Sequence, residues 1–197
     1  YNQLIRNQMH KTASIIIKHK NMKNKIYLIV LLLIGGLISS CESDNDDQNE
    51  FQNSKKTLSD FKKSTNNTYK YIVTGMTWVG PAWETTIIVS NGKVIQRHFR
   101  YTNTQGLGND IPTEELEWTE NGSEIGSHKN IAATALTLDE IYIKAEQEWL
   151  IKRDNAEIYF ETKNNGLIST CGYAENNCQD DCFIGIHIKS IEPLLQE

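Results

Sequence analysis

The first 40 residues contain no aspartate or glutamate, although the chain of 197 has 25 acidic side chains. Six of its 20 lysines and arginines (Arg6, Lys11, Lys18, Lys20, Lys23 and Lys25) lie in that stretch. Residues 41–197 therefore carry 14 basic and 25 acidic groups, a net charge of −11. That balance excludes a nucleic-acid partner, because phosphate contacts need clustered Lys and Arg. It also excludes a polybasic face for anionic lipid. Apolar runs are scarce as well. Residues 26–38 form one of 13 residues, short of the ~20 that a transmembrane helix needs. Catalytic signatures are missing: there is no Gly-x-Ser-x-Gly elbow and no His-Glu-x-x-His pair. No glycine-rich loop leads from a strand into a helix to cradle a phosphate. The 157 residues from Cys41 onward suffice for one core.

The short apolar run has a secretory signal's proportions, with Lys23 and Lys25 before it and small residues after it. It ends Ile38-Ser39-Ser40-Cys41. An aliphatic residue, two small residues and a cysteine in that order resemble the lipobox of bacterial lipoproteins. The resemblance implies cleavage before Cys41 and lipidation of Cys41. It also implies a cell-envelope location in which the membrane is a partner through that lipid. Met22 is the expected start, residues 1–21 an expected upstream extension, and residues 22–40 the signal peptide. Residues 41–54, beginning Cys41-Glu42-Ser43-Asp44-Asn45-Asp46-Asp47, are too polar to bury a core and read as a flexible tether. The acidic run resembles the signal that sends some Gram-negative lipoproteins to the outer face of the outer membrane. A plain solvated linker is the other reading.

Residues 55–197 read as a single α+β domain. Leu58 and Phe61 suggest a short helix over residues 54–65. Residues 69–74 alternate as a strand. Residues 85–89 and 94–99 flank Ser90-Asn91-Gly92-Lys93, and Asn-Gly suits a two-residue type I′ turn. The expected register pairs Val89 with Val94, Ile88 with Ile95 and Thr85 with His98. Residues 102–136 form a long connection, of which Pro112 to Trp118 suits one helical turn. Thr137-Leu138-Asp139-Glu140 matches a capping box. Leu138, Ile141, Ala145 and Trp149 then share a helical face, which predicts a helix to about Ile151. Strands follow around Ile158 and Phe160, over 167–173, and from Cys182 to Ile188. The fold class is thus an antiparallel sheet of about six strands packed against two helices, in the order helix, three strands, helix, three strands.

Several of these pieces together resemble a family of small bacterial secreted proteins and lipoproteins known only as a domain of unknown function. They are the Tyr69-Lys70-Tyr71 strand, the Val89-Ser90-Asn91-Gly92-Lys93-Val94 hairpin and the helix opening at Thr137. The stretch from Gly166 through Asp180-Asp181 to Pro193 matches as well. The chain departs from the family in residues 102–136 and in its cysteine-rich loop. The family brings no known catalytic residues, so none is carried over, and no cofactor is expected.

Cys171, Cys178 and Cys182 are the most distinctive group. Outside the cytoplasm such thiols oxidise. A Cys171–Cys182 bridge between the last two strands is the expected disulfide, with Cys178 left over. A Cys₃His zinc site with His187 is disfavoured, because His187 falls on the face opposite Cys182; no metal is expected. Asn176, Asn177, Asp180 and Asp181 lack the spacing of a calcium loop and read as solvated. His98 and His187 read as surface histidines. Trp78 and Trp83 bracket Gly80-Pro81; they either present an aromatic binding surface or cap the core. The expected function is a non-catalytic, lipid-anchored binding or structural module with a protein or glycan ligand. The alternative is an envelope hydrolase using Glu114, Glu115 or Glu117 with His128. A raised carboxylate pKa in a deep pocket would mark the enzyme.

Overall fold

The computed structural model describes residues 43–108, 110–129 and 131–194. The chain divides into two compact units, Tyr1–Gln48 and Asn49–Glu197. The second holds a mixed α+β fold built on one antiparallel sheet.

Helix α1 spans Ser43–Ser64. Phe51, Ser54 and Leu58 recur at helical spacing and are all buried, with Phe61 half-buried behind them. Lys62 and Lys63 in the last turn suit the negative end of the helix dipole. Asn66 and Asn67, both at positive φ, then turn the chain. The flexible tether expected over 41–54 is therefore corrected: helix begins at Ser43, and Phe51 and Ser54 belong to the core.

Four strands follow: β1 (Tyr69–Met76), β2 (Ala82–Ser90), β3 (Lys93–Asn103) and β4 (Glu117–Asn121). A one-turn helix α2 (Thr113–Leu116) precedes β4. Helix α3 (Leu138–Lys144) runs on into a wider π-helical turn, Ala145–Trp149. Strands β5 (Ala156–Glu161), β6 (Thr170–Glu175) and β7 (Phe183–Pro193) complete the chain. The spatial order is β4-β3-β2-β1-β7-β6-β5, every pairing antiparallel.

The sheet thus has seven strands, not six. The additional one is β4, inside the 102–136 connection. Its inward positions are Trp118 and Glu120, both buried. A glutamate on the inward side breaks the apolar alternation by which a strand is recognised. The β2–β3 turn does carry positive φ at Asn91 and Gly92, and Val89 pairs with Val94. A bulge at Ile88/Val89 then shifts the register, so Ile88 faces Gln96 and Thr85 faces Phe99.

The capping box on α3 is formed: the Glu140 N–H donates to Thr137 Oγ1, and the Thr137 N–H donates to Glu140 Oε2 at 2.7 Å. Leu138, Ile141, Tyr142, Ala145 and Trp149 are buried against Tyr69, Tyr71, Ile87 and Ile188. Two tyrosines of β1 fix the start of the helix. The Leu138 N–H donates to Tyr69 Oη at 2.9 Å, and the Tyr71 hydroxyl donates to the Leu136 carbonyl. The first of these bonds satisfies an N–H that a helix start leaves open. Phe51 stacks on Tyr142, whose hydroxyl lies 2.6 Å from Ser54 Oγ, so both long helices lock together over the sheet.

Candidate functional site

Two arrangements carry the polar and exposed aromatic chemistry. The first is a latch under the 122–136 segment. Arg97 of β3 and Glu120 of β4 are cross-strand partners on the core side, both almost fully buried. The Arg97 guanidinium donates to Glu120 at 3.2 Å and to the carbonyls of His128, Ala132 and Ala133. Glu120 accepts from the backbone N–H groups of Gly126 and His128, each at 2.6 Å, and from the Ser127 hydroxyl. His128 Nδ1 lies 2.9 Å from the same carboxylate, and its ring stacks on Trp118 at 4.1 Å. Burial opposes the charge on Glu120. The hydrogen bonds from His128, Gly126 and Ser127 outweigh it and hold the pKa at about 2. This carboxylate is a fixed anion that shapes a loop, not a proton donor.

Of the carboxylates expected to partner His128 in a hydrolase, Glu117 is not brought to it. Glu117 lies on the opposite face of β4 and pairs with His98 at 3.0 Å. His128 is engaged by Glu120, which sequence reasoning passed over. Arg97 was missed for the same reason: an inward-pointing charge looks like an outward one until its partner strand is known.

The second arrangement is a fork in the sheet. β7 changes partners along its length. Its end pairs with β1 from Tyr69↔Pro193 to Val73↔Ile188. Its start, Phe183 to His187, pairs with β6. Past Val73 and Ile188 the two ladders separate, and a cleft of about 880 Å³ opens between them. Val73, Gly75, Trp83, Ile131, Phe183 and Ile186 are among its lining residues. Trp83 pairs across the strand with Gly75 and lies over it. Its ring also meets Tyr101 edge-on.

The crotch of the fork is clamped. Lys189 of β7 reaches Glu84 of β2 at 2.6 Å, and Arg100 of β3 meets the same carboxylate at 2.7 Å. Lys189 and Arg100 hold the Glu84 carboxyl below its usual range. At the mouth, the 77–81 turn is closed by the Thr77 N–H donating to the Pro81 carbonyl, and Asn103 Nδ2 donates to the Gly80 carbonyl at 2.8 Å. That turn displays Met76 at 72% and Trp78 at 73% exposure, with Val79 beside them. The two tryptophans singled out by the sequence thus differ in setting. Trp78 stands in solvent, and Trp83 lines the cleft.

The cysteines depart from expectation. Cys178 and Cys182 are bonded, with Cα atoms 5.9 Å apart, and Cys171 is a buried free thiol. The expected Cys171–Cys182 bridge is corrected by register. Cys171 sits opposite Ile186 in the ladder, four positions beyond Cys182, or about 13 Å of strand. A disulfide spans less than ~7 Å between Cα atoms. Burial pushes the Cys171 thiol up to about 12, so it is inert. The bonded loop contains Asp181, which lines the cleft. Among the described residues no group of His, Cys, Asp and Glu is arranged to hold a metal ion, and no helix is long and apolar enough to cross a membrane. Cys41 lies outside the described residues.

No family model, curated protein or solved structure matches this chain. The family resemblance noted in the sequence therefore rests on the quoted residues alone.

Proposed function

We propose that this chain is a lipid-anchored protein of the bacterial cell envelope whose folded domain is a non-catalytic binding module. In this reading the signal is cut before Cys41, the lipid on Cys41 holds the protein to the outer membrane, and the ligand enters the β1–β7 fork. The observation that carries the binding function is the fork itself. It is a cleft of about 880 Å³ with apolar residues prominent in its lining, Met76 among them, and Met76 and the nearby Trp78 stand largely in solvent. Large exposed apolar groups beside a preformed cleft mark recognition surfaces. The hydrolase alternative, with Glu114, Glu115 or Glu117 beside His128, has no comparable cleft behind it: His128 is held by Glu120 and Glu117 by His98.

A photo-crosslinking residue placed at Met76 of the full chain, in its native membrane, tests the assignment. The control position is Ile143 on α3, 51% exposed and not among the residues that line the fork. The reading expects adducts from position 76 and none from 143. Adducts from both positions alike, or from neither, would sink it.

A further inference from the structure

We propose that the fork receives an extended polypeptide segment, which adds as a strand to the free edge of β7. The inference rests on the fork being the binding surface and names its occupant. From Phe183 to His187, β7 is paired with β6 on one side only. From Thr74 to Met76, β1 is paired with β2 on one side only. Both stretches line the cleft. Among the described residues no backbone hydrogen bond leaves either of them toward the other. A strand edge left this way presents alternating N–H and C=O groups, a template that another extended backbone completes.

The outer edges of the sheet are defended and the fork is not. β4 has five residues and carries Glu117, while β5 carries Glu157 and Glu161. Edge strands kept short or charged resist pairing. The fork edge of β7 reads Phe183-Ile184-Gly185-Ile186-His187, with no acidic or lysine side chain. At the head of the cleft Thr77 Oγ1 is buried without a hydrogen-bond partner. The occupant is named by the backbone: two facing stretches of unpaired strand suit an extended chain, and Val73, Trp83, Ile131 and Ile186 supply apolar surface for its alternate side chains beside the polar Thr74, Thr102 and His187.

Charge narrows the ligand further. Glu84 is neutralised by Lys189 and Arg100, whereas Asp181 at the rim makes no ion pair among the described residues. With a net −11 over residues 41–197, the fork favours a segment of about five residues. Alternate side chains would be apolar, with a lysine or arginine next to Asp181.

The test pans the full chain in detergent against a phage-displayed random decapeptide library. Selected peptides are resynthesised with backbone N-methyl groups at alternate positions. Methylation of one alternate set should weaken binding by about tenfold or more, and methylation of the other set should not. Amides within residues 183–187 should gain hydrogen-exchange protection on binding, and Asp181→Asn should weaken lysine-containing peptides several-fold. Peptides indifferent to N-methylation, or protection confined elsewhere, would overturn strand addition. An array of peptidoglycan and chitin fragments runs in parallel with wild type and Trp78→Ala, an exposed position whose change leaves the core intact. Glycan binding that needs Trp78, with no peptide selected, would overturn the polypeptide and keep the fork. No peptide selected and no glycan bound would overturn the fork reading itself.

Discussion

The indole of Trp83 lies over Gly75, its cross-strand partner, so closely that a β-carbon at residue 75 would run into the ring. Glycine at 75 is therefore a packing requirement, and the ring it receives lines the cleft. Gly75→Ala should displace the indole into solvent and cost about 1–3 kcal/mol, the usual range for overpacking. Tryptophan emission should shift red, and the melting temperature should fall by several degrees. An unchanged spectrum with unchanged stability would mean that Trp83 is not seated there.

Glu120 makes the low-pH stability of this domain sensitive to one side chain. Its pKa is about 2 in the fold and about 4.3 in an unfolded chain. A depressed folded pKa stabilises above the unfolded value, and that contribution is lost as pH falls toward 2. The amount is about 3 kcal/mol. Glu120→Gln should remove it and leave the buried Arg97 short of its counter-charge. Urea unfolding from pH 6 to pH 2.5 should show wild type losing stability more steeply than the variant. Parallel curves would contradict the latch.

Asn91 and Gly92 sit at φ of 50° and 75°, and a β-carbon on Gly92 would also press on the Asn67 amide. Gly92→Val should cost about 1 kcal/mol or more, read as a lower melting temperature with the sheet signal retained. No change in melting temperature would remove the type I′ turn.

Peptide mapping of the non-reduced protein should return a bridge between Cys178 and Cys182 and a free Cys171. The closed loop is so short that the entropic model gives only about 2 kcal/mol. Reduction should therefore lower stability modestly and leave the core assembled, while loosening the rim that carries Asp181. Any bridge that includes Cys171 would contradict the β6–β7 register.

The parts of this fold legible in the sequence were those with local causes. Thr137 and Glu140 announce a helix start by chemistry confined to four residues. Leu138, Ile141, Ala145 and Trp149 announce its buried face by spacing alone, and all four are buried. Asn91-Gly92 announces a turn because of its own dihedral demands. What could not be read depends on partners distant in the chain. Arg97 and Glu120 look like surface charges until β3 and β4 are paired. The Ile88/Val89 bulge moved Thr85 from His98 to Phe99, whereas Cys171 was misplaced because β6 runs on to Glu175 and the turn falls later, which sets Cys171 opposite Ile186. The fork has no sequence signature at all, because it exists only where the β1–β7 ladder stops at Val73 and Ile188.

The proposed anchoring of this domain to a membrane by lipid on Cys41 is tested most directly by metabolic labelling. Cells expressing wild type or Cys41→Ser are grown with radiolabelled palmitate, and the protein is isolated and counted. Two or more acyl chains give anchoring that persists in high salt, at ~0.8 kcal/mol per buried CH₂. The account predicts label on the wild type, retention with membranes in high salt, and loss of label in the variant. Equal label on both proteins, or none on the wild type, would contradict it.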